Sequence, residues 1–194
     1  MANKTGELSG VQFQKMTEQE VWKLLTAGTG ALEVSWPASD DERIDLETHV
    51  KASFGPRLSL QVKCASWLSV PTRARNLVIT FSEKADRVHS HPLYWYLFGC
   101  FDLGRLEFIS PLFLVPSDRV HRHADPRVRG DTVRFSFNGS MEKDSRDQWR
   151  DCVVEPLQLA GRVLSILKHA AKSQGMVAAP PPVHSGGLVI GLKR

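Results

Sequence analysis

The sequence predicts an α/β protein with a mixed central β-sheet flanked by helices. Three observations carry that expectation. A helical apolar stripe stands near the start, short alternating segments follow at close intervals, and a second long helical pattern lies toward the end.

Residues 17–27, TEQEVWKLLTA, read as the first helix. Thr17 suits the N-cap, Glu20 stands at the capping-box distance, and Val21, Leu24 and Leu25 make the apolar stripe. Gly28 and Gly30 are expected to end it. ALEVSW (31–36) alternates as a strand, and Pro37 stops it. SDDERIDLETHV leads into a second strand over 43–50, and KASFGPR turns the chain back. LSLQVKCAS (58–66) is the clearest strand. Its Leu58, Leu60, Val62 and Cys64 fall on one face, and Ser59, Gln61 and Lys63 on the other. Three short strands after a helix suggest an antiparallel meander.

Further along, NLVITF (76–81) reads as a strand and SEKADRVHS as a helix. The stretch 93–116, LYWYLFGCFDLGRLEFISPLFLVP, reads as two or three strands, and SDRVHR opens a short helix with Ser117 as cap. After the strand DTVRFSFN (131–138), a long helical pattern covers 145–171, with Pro156 as a kink or boundary. The division expected is a single domain over 1–172 and a flexible Pro/Gly/Ala-rich tail over 173–194.

Composition narrows the class. The chain is 42% hydrophobic and 24% charged, the balance of a globular protein rather than a disordered one. Three scattered cysteines without a CxxC pair argue against a disulfide framework or a zinc ribbon and fit a reducing compartment. No apolar run has the length of a membrane span, and the N-terminal residues show no signal-peptide pattern, so a cytoplasmic location is expected. The net charge of +4 permits nucleic-acid binding without demanding it. Arg119, Arg122, Arg127, Arg129 and Arg134 crowd together, diluted by Asp118, Asp125 and Asp131. A solvated loop and a phosphate-contacting surface both fit that run.

The informative pattern is Asp45 on one strand, followed sixteen positions later by Gln61-Val62-Lys63 on the next. If the two strands pair as a hairpin, a carboxylate, a side-chain carbonyl and an ammonium converge on one volume. Phosphodiester hydrolysis uses such a set. Asp45, Gln61 and the Val62 backbone carbonyl offer oxygen ligands to Mg²⁺ or Mn²⁺, and Lys63 can orient water and offset transition-state charge.

The order helix–strand–strand(Asp)–loop–strand(QVK) resembles the PD-(D/E)XK superfamily of restriction-endonuclease-like proteins. It is similar in particular to the Mrr-like branch, which has Gln at the usual acidic position. The YWYLFGCF…EFISPLFLVP and SRDQWRDCVV segments also resemble a small uncharacterised bacterial family within it, and the resemblance covers roughly residues 5–170. It implies a restriction-endonuclease-like core and a metal-dependent nuclease acting on nucleic acid, DNA in the first instance. It further implies a role in genome defence or DNA processing, as a homodimer or in a larger defence complex. An additional acidic residue on the first helix often helps to bind metal in such families. Glu20 is the first choice here, then Glu18, then Glu7. Because Gln61 is a weaker ligand than a carboxylate, either the helix glutamate compensates or the site has lost activity.

Two other readings stand beside this one: an inactive nuclease-fold module binding nucleic acid or protein, and an unrelated α+β interaction protein. Lesser site candidates are the pairs His89/His91 and His121/His123 as zinc ligands. Trp67, Tyr94, Trp95 and Tyr96 are base-stacking candidates that equally suit a core. Ser66, Ser69 and the cysteines lack a nucleophile-elbow motif.

Overall fold

The computed structural model describes residues 8–37, 44–69 and 75–173. Helix α1 (Gly10–Thr29) begins well before Thr17. Its capping box is made by Ser9 and Gln12 rather than by Thr17 and Glu20: Ser9 Oγ accepts from the Gln12 N–H, and Gln12 Oε1 accepts from the Ser9 N–H. Thr17 lies inside the helix, its hydroxyl donating to the Gln14 carbonyl (2.8 Å). The helix also runs through Gly28. A Cβ there would lie 2.7 Å from the Cβ of Ala160, so Gly28 is a close-approach position rather than a stop. The stop is Gly30, left-handed at φ 65°.

Strands β1 (Leu32–Ser35), β2 (Leu46–Val50) and β3 (Leu58–Ala65) form the expected antiparallel meander. Strand β4 (Asn76–Lys84) leaves for a second sheet, and β5 (Tyr94–Asp102) returns to pair parallel with β3. Strand β6 (Glu107–Pro116) runs antiparallel to β5. Helix α2 (Ser117–His123) leads to β7 (Arg127–Arg129) and β8 (Thr132–Ser140), and the short β9 (Val153–Val154) precedes α3 (Leu159–Ser173). The main sheet has the order β1-β2-β3-β5-β6-β9, and the second β4-β8-β7. The fold is mixed α/β, as its sequence predicts.

Three further local expectations are overturned. SEKADRVHS is not a helix: β4 continues through Lys84, because Glu83 extends the inward face of Leu77, Ile79 and Phe81, and only a 3-10 turn follows. Ser117 does not cap α2. Its hydroxyl donates to the His91 carbonyl (3.1 Å) and accepts from the His91 N–H (3.0 Å). The pattern over 145–171 is not one helix, since two 3-10 turns and β9 occupy 150–158. Pro156 marks the last of these breaks, as a residue with no N–H to donate.

Hydrophobic burial divides between the two faces of the main sheet. Val21 and Leu25 of α1 and Val163 and Leu167 of α3 pack with Leu58, Leu60, Val62 and Leu97 on one face. On the other, Tyr96, Phe98 and Phe113 meet Phe135 and Phe137 of the second sheet, with Phe98 and Phe137 stacked at 4.0 Å. Alternation along β3 therefore sends Leu60 and Val62 to the helices and leaves Gln61 and Lys63 toward β4. Among the described residues no helix is long and apolar enough to cross a membrane.

Candidate functional site

The site lies just before β2 begins. Leu46 is the first residue of β2 and pairs with Leu60; just outside it, the Asp45 N–H donates to the Leu60 carbonyl (2.9 Å). The next ladder position on β3 belongs to Val62. There the Asp45 carboxylate takes the place of a strand neighbour, with Oδ2 accepting from the Val62 N–H at 2.6 Å. N–H and C=O of one strand residue point to the same edge, so the Val62 carbonyl faces the same side as this carboxylate.

Helix α1 supplies the surroundings of Asp45. Gln14 Nε2 donates to Glu18 Oε1 (2.8 Å) and reaches Asp45 Oδ1 at 3.5 Å, bridging the two carboxylates. Lys15 Nζ lies 2.7 Å from Glu18 Oε2. Glu18 is only 1% exposed, which is unusual for a carboxylate. Burial pushes the Asp45 carboxyl up to about 6, and the nearby Glu18 charge adds to the rise. The Val62 N–H and the Lys63 and Lys15 charges work against it.

Gln61 and Lys63 are held from the other side. Tyr94 donates its hydroxyl proton to Gln61 Oε1 (2.6 Å), and Gln61 Nε2 stands 3.5 Å from Glu83 Oε1. Lys63 Nζ lies 3.9 Å from the same Glu83 oxygen and 5.4 Å from the Phe81 ring centroid. Both acceptor and donor ends of the Gln61 amide thus have partners, and the residue is 2% exposed.

The residues singled out from the sequence distribute as follows. Asp45 and Lys63 stand close enough for the lysine charge to act on the carboxylate, with Val62 between them in the hydrogen-bond scheme. Gln61 occupies the same stretch of β3 but is engaged toward β4 and β5. Glu20 is not part of this group. It pairs with Lys23 and lines a groove with Leu24, Asp102, Arg105 and Glu155 on another side of α1. Glu18 is the helix acid beside Asp45. The sequence does carry a signal for it, since Glu18, Val21 and Leu25 share one helical face at i, i+3 and i+7, whereas Glu20 falls with Leu24. Glu7 lies outside the described residues. Gln14, Lys15 and Glu83 join the site as residues that the sequence pattern does not single out, and Tyr94, a base-stacking candidate from the sequence, joins it as a hydrogen-bond donor to Gln61. Glu83 is within reach of the period-two rule; the part Tyr94 plays here depends on the parallel pairing of β3 with β5.

No protein-family model and no curated protein matches the sequence. Among solved structures, a bacterial homing endonuclease superposes with a TM-score of 0.52 at 15% identity, over 88% of this chain and all of that one. The chain shares its fold with a nuclease. At that identity the likeness concerns the fold, and it puts an endonuclease among the proteins built this way.

The lesser candidates have structural occupations. His121 sits between Tyr96 (Nε2 to Oη, 3.0 Å) and Ser90 (Nδ1 to Oγ, 2.9 Å), and burial lowers its pKa. His91 Nδ1 accepts from the Leu93 N–H. Burial pushes all three thiols up, Cys152 to about 11, which disfavours thiolate chemistry. Among the described residues no group of three or more His, Cys, Asp or Glu is placed to hold a metal ion. Any cation site here would have to draw on amide and backbone oxygens as well.

Proposed function

We propose that this protein is a metal-dependent nuclease that hydrolyses phosphodiester bonds, with DNA as substrate, and that its centre is the Asp45–Val62–Lys63 fork backed by Glu18. The observation that carries the reading is the Asp45 carboxylate closing the β3 edge beside Lys63, on a fold shared with a homing endonuclease.

The donor set suits a hard divalent cation. Asp45, Glu18, the Gln61 side-chain carbonyl and the Val62 backbone carbonyl are all oxygens. Two neighbouring carboxylates with a raised Asp45 pKa also mark a place where added positive charge would be stabilising. When bound, Mg²⁺ or Mn²⁺ would polarise the phosphate and lower the pKa of an attacking water. Tyr94 and Glu83 fix the orientation of the Gln61 amide, and Gln14 sets the spacing of Glu18 and Asp45. Lys63 carries a charge that can orient water and offset negative charge developing on the phosphate.

A second reading has its own observation. The Gln61 amide is neutral and bonded at each end, by Tyr94 and Glu83, as it would be in a nuclease-fold module that has lost activity and only binds nucleic acid or a protein. The D…QxK pattern resembles the Mrr-like branch, and the proposal takes from that resemblance a role in defence or DNA processing and a homodimer or larger complex; its cytoplasmic setting rests on the three scattered cysteines. The 1–172 domain with a C-terminal tail belongs to the same proposal.

Plasmid nicking with Mg²⁺ or Mn²⁺ tests it, comparing the parent with Lys63→Ala. Removing a group that acts on transition-state charge should cost about a hundred- to a thousand-fold in rate while DNA affinity holds. A parent that cuts neither duplex DNA, single-stranded DNA nor RNA would favour the inactive module. Cleavage unchanged in Lys63→Ala would displace the site.

A further inference from the structure

The outer face of the β4-β8-β7 sheet is polar and basic, and its alternation is regular. Leu77, Ile79, Phe135 and Phe137 turn inward, so Ser82, Lys84, Thr132 and Arg134 turn outward, joined by Arg127 and Arg129 of β7. The pairing register sets these residues in two cross-strand rows, Ser82–Arg134–Arg127 and Lys84–Thr132–Arg129. Lys84, Arg127, Arg129 and Arg134 are all exposed. No outward position of the three strands carries a carboxylate. Asp125, in the loop before β7, pairs with Arg127 at 2.8 Å, and Asp131, in the β7–β8 turn, bonds Thr132. Lys84, Arg129 and Arg134 form no ion pair among the described residues.

Two features ask for an anion. Arg127 stands directly opposite Arg134, and like charges in directly opposed sheet positions repel. Edge protection accounts for arginines on β7, because charge on an edge strand discourages pairing with other chains. It does not account for Arg134, which lies on the central strand of this sheet. Successive outward residues lie roughly 7 Å apart along a strand and neighbouring strands about 4.8 Å apart, so the four cations form a compact patch. Within it the β7–β8 hairpin, which carries Arg127, Arg129 and Arg134, is a two-stranded antiparallel ribbon, a shape that the roughly 12 Å major groove of B-DNA admits, with arginines reaching phosphates or guanine edges.

We propose that the outer face of the β4-β8-β7 sheet is a docking surface for duplex DNA, separate from the Asp45–Lys63 centre. It rests on the nuclease reading for the identity of its ligand, but not for its geometry. Strand β4 links the two: Glu83 faces Lys63, while its neighbours Ser82 and Lys84 face outward.

The test is fluorescence anisotropy with a labelled duplex of roughly 30 bp, about three helical turns, in EDTA, where cleavage is suppressed, repeated across a salt series. The triple variant Arg127→Ala/Arg129→Ala/Arg134→Ala should bind at least about tenfold more weakly. Its log K versus log salt slope should be shallower by about 0.9 for each phosphate the arginines no longer neutralise. Its melting temperature should stay near that of the parent, since all three side chains are exposed. Unchanged affinity and slope in the triple variant would overturn the proposal even if the parent nicks plasmid. If binding depends on the arginines but no cleavage is seen, the nuclease reading falls and this surface stands. A parent that does not bind duplex at low salt, or releases it as readily to poly-glutamate as to unlabelled duplex, would also overturn it, the latter in favour of an acidic protein partner.

Discussion

Asp45 is a carboxylate placed where ionisation is costly. Its pKa rises from 3.8 to about 6, chiefly through burial, so the folded state holds its proton more tightly than the unfolded chain. Between those values the folded protein binds more protons, and stability therefore falls as pH rises through the window, then levels off above about 6. The shift corresponds to about 2–3 kcal/mol. Asp45→Asn should remove that slope and melt higher than the parent at pH 7, as thermal denaturation from about pH 4 to 8 would show. The same carboxylate should bind a cation only when ionised. Calorimetric Mn²⁺ affinity is expected to fall roughly tenfold per unit below about pH 6 and to drop further in Glu18→Ala, with no change in Glu20→Ala. Equal effects of the two glutamate variants would mean that neither acts through the Asp45 site. At this scale the sequence marks Asp45, Gln61 and Lys63 as candidates, but choosing between Glu18 and Glu20 needs the helical face rather than the capping pattern. Glu83 stays hidden as long as its strand is ended at Phe81.

Elements are legible wherever one face alternates cleanly. Strands β1 to β3 and β8 follow from period two, and α1 from its stripe. The failures share a cause, a local signal with two structural uses. Glycine at position 28 reads as a stop, but the helix uses its missing side chain to let α3 approach. Alanine is the better helix former by about 1 kcal/mol, yet a Cβ 2.7 Å from that of Ala160 has no flexible atom to push aside. Overpacking of this kind costs about 1–3 kcal/mol, so Gly28→Ala should lower the urea midpoint. Gly161, in α3 with nothing within 4 Å of its would-be Cβ, provides the contrast: Gly161→Ala should stabilise by up to about 1 kcal/mol and raise the midpoint accordingly. If Gly28→Ala is as stable as Gly161→Ala, the two helices do not cross at Gly28.

The whole molecule is organised by contacts that no short window contains. The parallel pairing of β3 with β5 brings Tyr94 to Gln61, and the excursion of β4 into a second sheet brings Glu83 to Lys63. Local period in the sequence reaches the mixed α/β class and marks Asp45 and Lys63 as candidates, but it does not reach the wall of side chains around them. The C-terminal helix poses the complementary question of where the domain stops. Helix α3 buries Leu159, Ala160, Val163 and Leu167 against the helix-covered face of the main sheet, and it ends at Ser173. The residues that follow, QGMVAAPPPVHSGGLVIGLKR, are rich in Pro, Gly and Ala, a composition poorly suited to adding to a core. Truncation after Gln174 keeps every buried α3 residue and should leave the melting temperature within about 2 °C of the full chain. Truncation after Ser165 removes Leu167, whose absence from a core costs about 2–5 kcal/mol, and should lower it by several degrees or abolish folding. A fall of more than about 4 °C on the shorter cut would correspond to at least about 1 kcal/mol of stability, and would place part of the C-terminal segment in contact with the domain.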